Sequence, residues 1–339
     1  MTEHEDGRET SGDATEAVVI ARHGGSEVLN LASVEPREPG PGEVAVEVAF
    51  AGVNFIDTYQ RSGLYPTPLP FTPGMEGSGR VSALGRGVSD LAVGQRVAWR
   101  SLGGSYAERL VIAADSAVAV PDEVDDSTAA ALLFQGMTAH YLATSTYPVD
   151  QGDVVVVHAA AGGVGLLLTQ LVKIRGGVVV GTVSTPGKAE LARAAGADHV
   201  VDYADLVPRV KEITDGVGAA AVFDGVGRDT FDQSLEALRP RGTLALFGVS
   251  SGPVPPVDPM RLNAGSFFLT RPTMVHYVTT RDEMVARAND LFGWLASGRL
   301  HVTIGGVYPL DDARRAHEAL ESRSSSGKLL LDVAARSGS

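Results

Sequence analysis

The amino-acid sequence predicts an α/β fold in which a doubly wound parallel sheet is joined to a second domain that is mostly β. Two stretches of the chain carry this prediction. Residues 153–249 alternate apolar, β-branched runs with segments of helical periodicity, and a glycine-rich turn follows the first of these runs. Residues 43–53 alternate apolar and polar side chains, which is the pattern of a strand with one buried face.

The mostly-β part begins at residue 14 and extends to about residue 135. Clusters of glycine and proline mark its turns at 39–42, 66–74 and 85–87. A short helix is predicted from Asn54 to Ser62, with Asn54 as its N-cap and Gly63 just past its end.

The parallel sheet is predicted from five apolar strands: Asp153 to Val157, Val178 to Val183, His199 to Asp202, Ala219 to Phe223 and Thr243 to Val249. Because such strands have no polar face, helices are expected to cover both sides of the sheet. The last region, from about residue 271, is predicted to form a helix, a strand, a second helix and a second strand. Its first helix opens with a capping box, Thr280 to Glu283.

Composition and charge exclude several classes of function. The net charge of −13 and the lack of a basic cluster argue against nucleic acid as a partner. No stretch approaches the roughly 20 apolar residues of a membrane span and no signal peptide is evident, so the expected location is the cytoplasm. Residues 1–13 are rich in acids and lack apolar periodicity, which predicts a disordered tail. With no cysteine in the chain, disulfides, thiolate metal sites and a cysteine nucleophile are excluded.

The turn after the first strand of the parallel sheet has the composition of a phosphate-binding loop. Strand, turn and helix follow one another as in a Rossmann domain. Gly162 would let a pyrophosphate approach the backbone, and Gly165 would let the helix pack close to the strand. Ala160 stands where the first glycine of the usual pattern would be, and the alternative reading is a packing turn. The predicted dinucleotide contacts are Ala161, Gly162, Gly163, Val164 and Gly165.

The end of the second strand indicates which dinucleotide binds. An NAD site usually has an acid about 20 residues past the loop, where it accepts a hydrogen bond from the ribose. Here Ser184 stands at that distance, no acid is present, and Lys188 follows. A hydroxyl and a cation suit a 2′-phosphate, so the predicted cofactor is NADPH. The alternative for Lys188 is an ordinary solvated helix lysine.

Several motifs together resemble one family along nearly the whole chain, from about residue 16 to residue 334. These motifs are Gly52–Tyr59, Arg61–Tyr65, Pro73–Gly77, His158–Gly165, Asp224–Gly227 and Ala316–Arg323. The sequence resembles the zinc-independent quinone oxidoreductases, the branch of the medium-chain dehydrogenase/reductase superfamily that includes zeta-crystallin. Where zinc-dependent relatives have metal ligands, this chain has Asn54 and Met75. No metal is therefore expected.

The resemblance implies a GroES-like catalytic domain made of 14–135 and 271–335, with a Rossmann NADPH-binding domain at 136–270 inserted between. It places Ser184, Lys188, Tyr203 and Arg323 around the 2′-phosphate, and Asn54, Tyr59 and Thr138 near the nicotinamide. Further cofactor contacts are implied after the fifth strand, at Phe247, Gly248 and Ser250. Many relatives have a basic residue where this chain has Gln135, which leaves the role of that position open.

The predicted function is the zinc-free transfer of reducing equivalents from NADPH to a quinone. The predicted catalytic residues are Tyr59, whose hydroxyl would donate to a substrate carbonyl or orient the cofactor, and Asn54. A packed core tyrosine and a simple N-cap are the alternatives for these two residues. Two other functions remain open, the reduction of an enone or 2-alkenal, and a non-catalytic or crystallin-like role in dinucleotide binding. A homodimer is expected, paired along the last strand of the Rossmann sheet near Ser266 to Thr270.

Overall fold

A computed structural model describes residues 14–337 of the chain. The predicted acidic tail at 1–13 lies outside the described residues. These residues form a six-stranded sheet, a seven-stranded sheet and a separate two-stranded ribbon. In the described part of the chain, no helix is both long and apolar enough to cross a membrane.

The six-stranded sheet is parallel throughout, in the order β10-β9-β8-β11-β12-β13. Its strands are β8 (Val154–Val157), β9 (Val178–Val183), β10 (His199–Asp202), β11 (Ala219–Asp224), β12 (Leu238–Leu246) and β13 (Phe268–Thr270). The connecting helices are α3 (Gly163–Ile174), α4 (Pro186–Ala194), α5 (Leu206–Ile213) and α6 (Phe231–Glu236). This strand order is that of a doubly wound Rossmann sheet, so the predicted fold class is confirmed.

Helices cover both faces of this sheet because successive strand residues point to opposite sides. Val155 and Val157 belong to one apolar cluster, together with Leu168 from α3. Val156, between them, belongs to another cluster, together with Leu206 from α5. All three valines are fully buried, which explains why β8 reads as a continuous apolar run.

The other large sheet is mostly antiparallel and uses both ends of the chain. Its path is β14-β15-β3-β4-β5-β7, with β6 paired to β3. Its strands are β3 (Glu43–Val53), β4 (Glu76–Leu84), β5 (Arg96–Arg100), β6 (Arg109–Ala113), β7 (Ala117–Ala119), β14 (Ile304–Pro309) and β15 (Lys328–Asp332). The remaining elements are the ribbon strands β1 (Thr15–Val19) and β2 (Asn30–Val34), and the helices α1 (Phe55–Ser62), α2 (Asp126–Tyr141), α7 (Arg281–Ala296) and α8 (Ala313–Glu321). The C-terminal strand β15 pairs with β3, so the end of the chain completes the sheet that the first half begins.

Two predicted strands have different limits in the structure. The strand predicted from Thr243 to Val249 extends from Leu238 to Leu246. It ends there because the amides of Phe247 and Gly248 both donate to one carbonyl, that of Asp224, which interrupts the ladder of hydrogen bonds. The strand predicted from Ser266 begins at Phe268. Ser266 has a φ of 50°, a left-handed conformation that cannot continue a strand.

Helix α1 forms where the sequence predicts it. Asn54 precedes its first residue with an extended backbone, and Gly63 follows its last residue with a φ of 81°. A left-handed residue at this position ends a helix, and glycine adopts it without steric cost. The helix lies at the end of β3 and brings Tyr59 to the cleft between the two large sheets.

Candidate active site

A cleft of about 810 Å³ lies at the carboxyl ends of the parallel strands, where the chain segments after β8 and β11 diverge. Its walls come from both large sheets. Every residue that the sequence analysis placed at the cofactor or the substrate lines this cleft: Asn54, Tyr59, Thr138, Ala161, Gly162, Gly163, Val164, Gly165, Ser184, Lys188, Tyr203, Phe247, Gly248, Ser250 and Arg323. The structure thus brings these residues together, while their individual roles stay predictions.

At two positions of the glycine turn a Cβ would overlap neighbouring atoms, and at Gly165 these are backbone atoms, which cannot move aside. A Cβ at Gly165 would overlap the carbonyl oxygen of Ala159, so α3 could not pack this close to β8. A Cβ at Gly163 would overlap the side-chain amide of Gln135 on α2. The amides of the first turn of α3 lack partners within the helix and carry partial positive charge, which suits an anionic ligand.

Buried polar groups hold this turn from below. His158, at the end of β8, lies between the hydroxyls of Thr182 (2.9 Å) and Ser234 (3.0 Å). Burial lowers the pKa of His158, so the ring is neutral. Tyr203 stacks on this ring, and its hydroxyl accepts a hydrogen bond from the amide of Ala159 at 3.2 Å. His158 therefore supports the loop from within the core.

Two cations meet at one end of the cleft. Lys188 Nζ donates to the backbone carbonyl of Arg323 at 2.6 Å. Burial and the neighbouring guanidinium of Arg323 both lower the pKa of Lys188. The hydroxyl-bearing residues Ser184 and Ser325 line the same end. Because like charges repel, two adjacent cations favour an anion between them.

Aromatic residues line the other end of the cleft. Burial raises the pKa of Tyr59 to about 12, so its hydroxyl stays protonated at neutral pH and can donate a hydrogen bond. The Tyr59 and Tyr65 rings are 5.3 Å apart, and Arg271 donates to the Tyr65 hydroxyl at 3.2 Å. The hydroxyl of Thr138 donates to the carbonyl of Phe134 within α2 and is thereby engaged.

The side-chain amide of Asn54 is held by Lys328 and Glu76, which are buried behind the cleft, and by Gln135, which lines it. Its Oδ1 accepts from Lys328 Nζ at 2.9 Å and from Gln135 Nε2 at 3.4 Å. Its Nδ2 donates to Glu76 Oε1 at 2.8 Å. Asn54 thus lines the cleft with an amide whose hydrogen-bonding groups already have protein partners.

A chain of buried side chains supports α1 from the side away from the cleft. Asp57 Oδ2 accepts from the backbone N–H of Asn54 at 2.8 Å and from the Tyr106 hydroxyl at 3.1 Å. Tyr106 also contacts His317 Nε2, and His317 Nδ1 contacts Arg61. Burial lowers the pKa of His317 to about 3, so this ring is neutral. Burial raises the pKa of Asp57 to about 7, although its bonds to Asn54 and Tyr106 oppose that shift.

Sequence reasoning missed several residues at or behind the cleft. Arg271 marked a domain boundary, and nothing in its local pattern indicated that it faces the cleft. Lys328 opens an apolar strand, where a charged residue usually marks the exposed end, yet it is fully buried. Glu76 appeared only as part of a family motif. In residues 14–337, no group of three or more histidine, cysteine, aspartate or glutamate side chains is arranged to hold a metal ion.

Comparison with known proteins identifies the family. Residues 40–122 match the alcohol dehydrogenase GroES-like domain, and residues 163–294 match the zinc-binding dehydrogenase model. The chain is 45% identical over 317 residues to quinone oxidoreductase 1 of Escherichia coli, covering 91% of this chain and 97% of that one. The chain belongs to the zinc-independent quinone oxidoreductase branch of the medium-chain dehydrogenase/reductase superfamily. The family predicted from the sequence motifs is confirmed.

Two further members of the superfamily bear on the site. A mycobacterial protein solved in complex with NADPH has 48% identity and a TM-score of 0.92, over 94% of this chain and all of that one. The 2-haloacrylate reductase of a Burkholderia species is 38% identical over 328 residues, covering 93% of this chain and 98% of the relative. Relatives of this chain thus include a 2-haloacrylate reductase as well as quinone oxidoreductases.

The pKa of Asp57 generates a prediction about stability and pH. A folded-state pKa of about 7 exceeds the ordinary value of 3.8, so the folded protein binds this proton more tightly than the unfolded chain does. Its stabilising contribution is complete below pH 3.8 and is lost as the pH rises through about 7. Compared with Asp57→Asn, the wild type should lose about 2–4 kcal/mol of unfolding free energy between pH 4.5 and pH 8.

Urea unfolding of both proteins across this pH range measures the effect. Asparagine retains an oxygen that can accept from Asn54 and Tyr106, so the variant is expected to fold. A wild-type minus variant difference that is constant with pH would show that Asp57 does not titrate in this range.

Proposed function

We propose that the protein is an NADPH-dependent quinone oxidoreductase that works without zinc. The observation that carries the proposal is one continuous cleft with a cation pair at one end and a tyrosine-lined apolar wall at the other. The family's quinone oxidoreductases and the NADPH complex of the mycobacterial relative support it. We also propose that 14–135 and 271–335 form the catalytic domain, and 136–270 the cofactor domain.

The residues present fit NADPH along the length of the cleft. The glycine turn lines the cleft, so a pyrophosphate can bind there beside the first amides of α3. Lys188 and Arg323, with the Ser184 hydroxyl, provide the charge and hydrogen bonds that a 2′-phosphate needs. When bound, NADPH supplies a hydride from its nicotinamide ring.

The aromatic end of the cleft suits a flat, electron-poor acceptor. Tyr141 lines it and is fixed by stacking on Tyr277, with the two rings 4.4 Å apart and nearly parallel. Phe134 and Met274 extend this apolar surface. The protonated hydroxyl of Tyr59 can donate to an acceptor oxygen, which stabilises the negative charge that hydride addition places there.

Arg271 favours a second candidate function, the reduction of an alkene activated by a carboxylate. Its exposed guanidinium lines the acceptor end of the cleft beside Tyr65. A guanidinium binds a carboxylate through charge-assisted hydrogen bonds. A relative at 38% identity is a 2-haloacrylate reductase. A solely dinucleotide-binding role predicts no turnover with either class of acceptor.

Absorbance at 340 nm measures the proposed reaction directly. We expect NADPH oxidation to depend on a quinone, to persist with a chelator present, and to exceed the rate with an acrylate. NADPH should bind about tenfold or more tightly than NADH, since one charged hydrogen bond contributes that much. Faster turnover of 2-haloacrylate than of any quinone would favour the second candidate, and no turnover with either would refute the enzymatic proposal.

Replacing Lys188 tests the assignment of the phosphate end. Lys188→Ala should weaken NADPH binding by about 1.5–3 kcal/mol and leave NADH binding unchanged, because only NADPH carries the 2′-phosphate. Titration of cofactor fluorescence gives both dissociation constants. Lys211→Ala, on α5 and away from the cleft, is the matched control. Equal losses for both cofactors would remove Lys188 from the phosphate site.

We further propose a cytoplasmic homodimer paired along β13. This strand is the outer edge of the parallel sheet, and its Phe268 side chain is 61% exposed. An apolar edge of this kind favours pairing with a second copy about a two-fold axis. Light scattering at micromolar concentration should give twice the chain mass of 35.3 kDa, and Phe268→Glu should halve that value. A wild-type monomer would contradict this assembly.

A further inference from the structure

A buried lysine lies directly behind the acceptor end of the cleft. Lys328, the first residue of β15, is 1% exposed. Its ammonium donates to Glu76 Oε1 at 2.5 Å, to Asn54 Oδ1 at 2.9 Å and to the carbonyl of Val53 at 3.1 Å. These three bonds use the three protons of the ammonium and leave it fully satisfied.

Glu76 closes this arrangement into a ring. Its carboxylate is fully buried, and Oε1 accepts from Asn54 Nδ2 as well as from Lys328. Its other oxygen accepts from the Phe134 amide of α2 at 3.1 Å. A reversed Asn54 amide would turn its NH₂ towards the ammonium and its oxygen towards the carboxylate. The ion pair therefore fixes which way this amide points.

The residue before Lys328 links the same strand to the glycine turn. The Gly327 amide donates to the carbonyl of Ala161 at 2.9 Å, and Gly327 forms a parallel bridge with Gly162. Gly327 has a φ of 66°, and a Cβ there would overlap the carbonyl of Thr303. Two consecutive residues thus make both contacts: Gly327 contacts the glycine turn, and Lys328 contacts the side-chain amide of Asn54.

We infer that Lys328 is a positioning residue, which holds Asn54 and the start of α1 in register with the glycine turn. Because Tyr59 lies on α1, this ring also sets the place of the Tyr59 hydroxyl relative to the bound nicotinamide. The effect of Lys328 on catalysis rests on the proposed function. Its effect on the position of Asn54 and α1 rests only on the hydrogen-bonded ring.

Gln135 offers a way to test whether the positive charge of Lys328 matters, or only the volume that its side chain fills. Its Nε2 is a second donor to Asn54 Oδ1, at 3.4 Å, from the α2 side of the ring. Gln135 carries no charge, and the cation of the ring comes from Lys328 on β15. A lysine at 135 would approach the same acceptor and Glu76, so it should replace the charge that Lys328→Met removes.

The test compares four proteins with the wild type: Lys328→Met, Lys328→Met with Gln135→Lys, Lys328→Met with Glu76→Gln, and Lys173→Met. The last is a control for the loss of a lysine ion pair away from the cleft, since Lys173 pairs with Asp198 and does not line the cleft. Lys328→Met should lower kcat about tenfold or more through misplacement of α1, with the NADPH dissociation constant changed less than about threefold. Hydrogen–deuterium exchange of residues 54–62 should accelerate. Gln135→Lys should restore both kcat and exchange protection.

The double variant Lys328→Met with Glu76→Gln is included in case Lys328→Met alone does not fold. Lys328→Met leaves the buried Glu76 carboxylate without its cation, and Glu76→Gln removes that charge. We expect its unfolding midpoint to return towards that of the wild type while kcat stays low and exchange stays fast. Full recovery of kcat in this variant, or no change of kcat and exchange in folded Lys328→Met, would overturn the inference. A wild type inactive with quinones would refute the proposed function, whereas the exchange measurements would still decide the role of Lys328.

Discussion

The geometry of a parallel sheet determines where this protein can build a site. All six strands end at the same edge, so the segments that follow β8, β9, β11 and β12 meet there. Both faces of the sheet are covered, which leaves this edge as the open side of the domain. The second sheet closes the edge into a cleft, since Gly327 pairs with the glycine turn across it. The site therefore depends on the return of the C-terminal strand to β3.

The positively charged residues at the two ends of the cleft differ in burial and in their partners. Lys188 and Arg323 lie side by side with access to solvent, and their mutual repulsion is relieved when an anion binds. Lys328 is buried against Glu76, and its hydrogen bonds are complete without a ligand. Removing one partner from a buried pair leaves an uncompensated charge, which is strongly destabilising. The first arrangement suits binding, and the second suits holding the amide of Asn54 in one orientation.

Local sequence patterns predicted the strands, turns and helix caps. The buried contacts behind the site depend on residues that are far apart in the sequence. The apolar run of β8, the turn to Gly165 and the cap before α1 each follow from a few neighbouring residues, and the structure has all three. The Tyr106–His317 contact spans 211 positions and the Lys328–Glu76 pair spans 252, so no local pattern indicates either one. The limits of β13 depended on the backbone conformation of Ser266, which its residue type does not specify.

The two hydrogens that a quinone gains on reduction set a further constraint on the mechanism. A hydride and one proton must reach the acceptor, yet a pKa of about 12 keeps the proton on Tyr59 at neutral pH. Asp57, whose pKa lies near 7, is fully buried behind α1 and is not among the residues that line the cleft. In the proposed reaction, Tyr59 therefore stabilises the developing charge by a hydrogen bond, and the proton comes from water. The exposed position of Arg271 shows that solvent reaches the acceptor end, so no buried proton path is needed there.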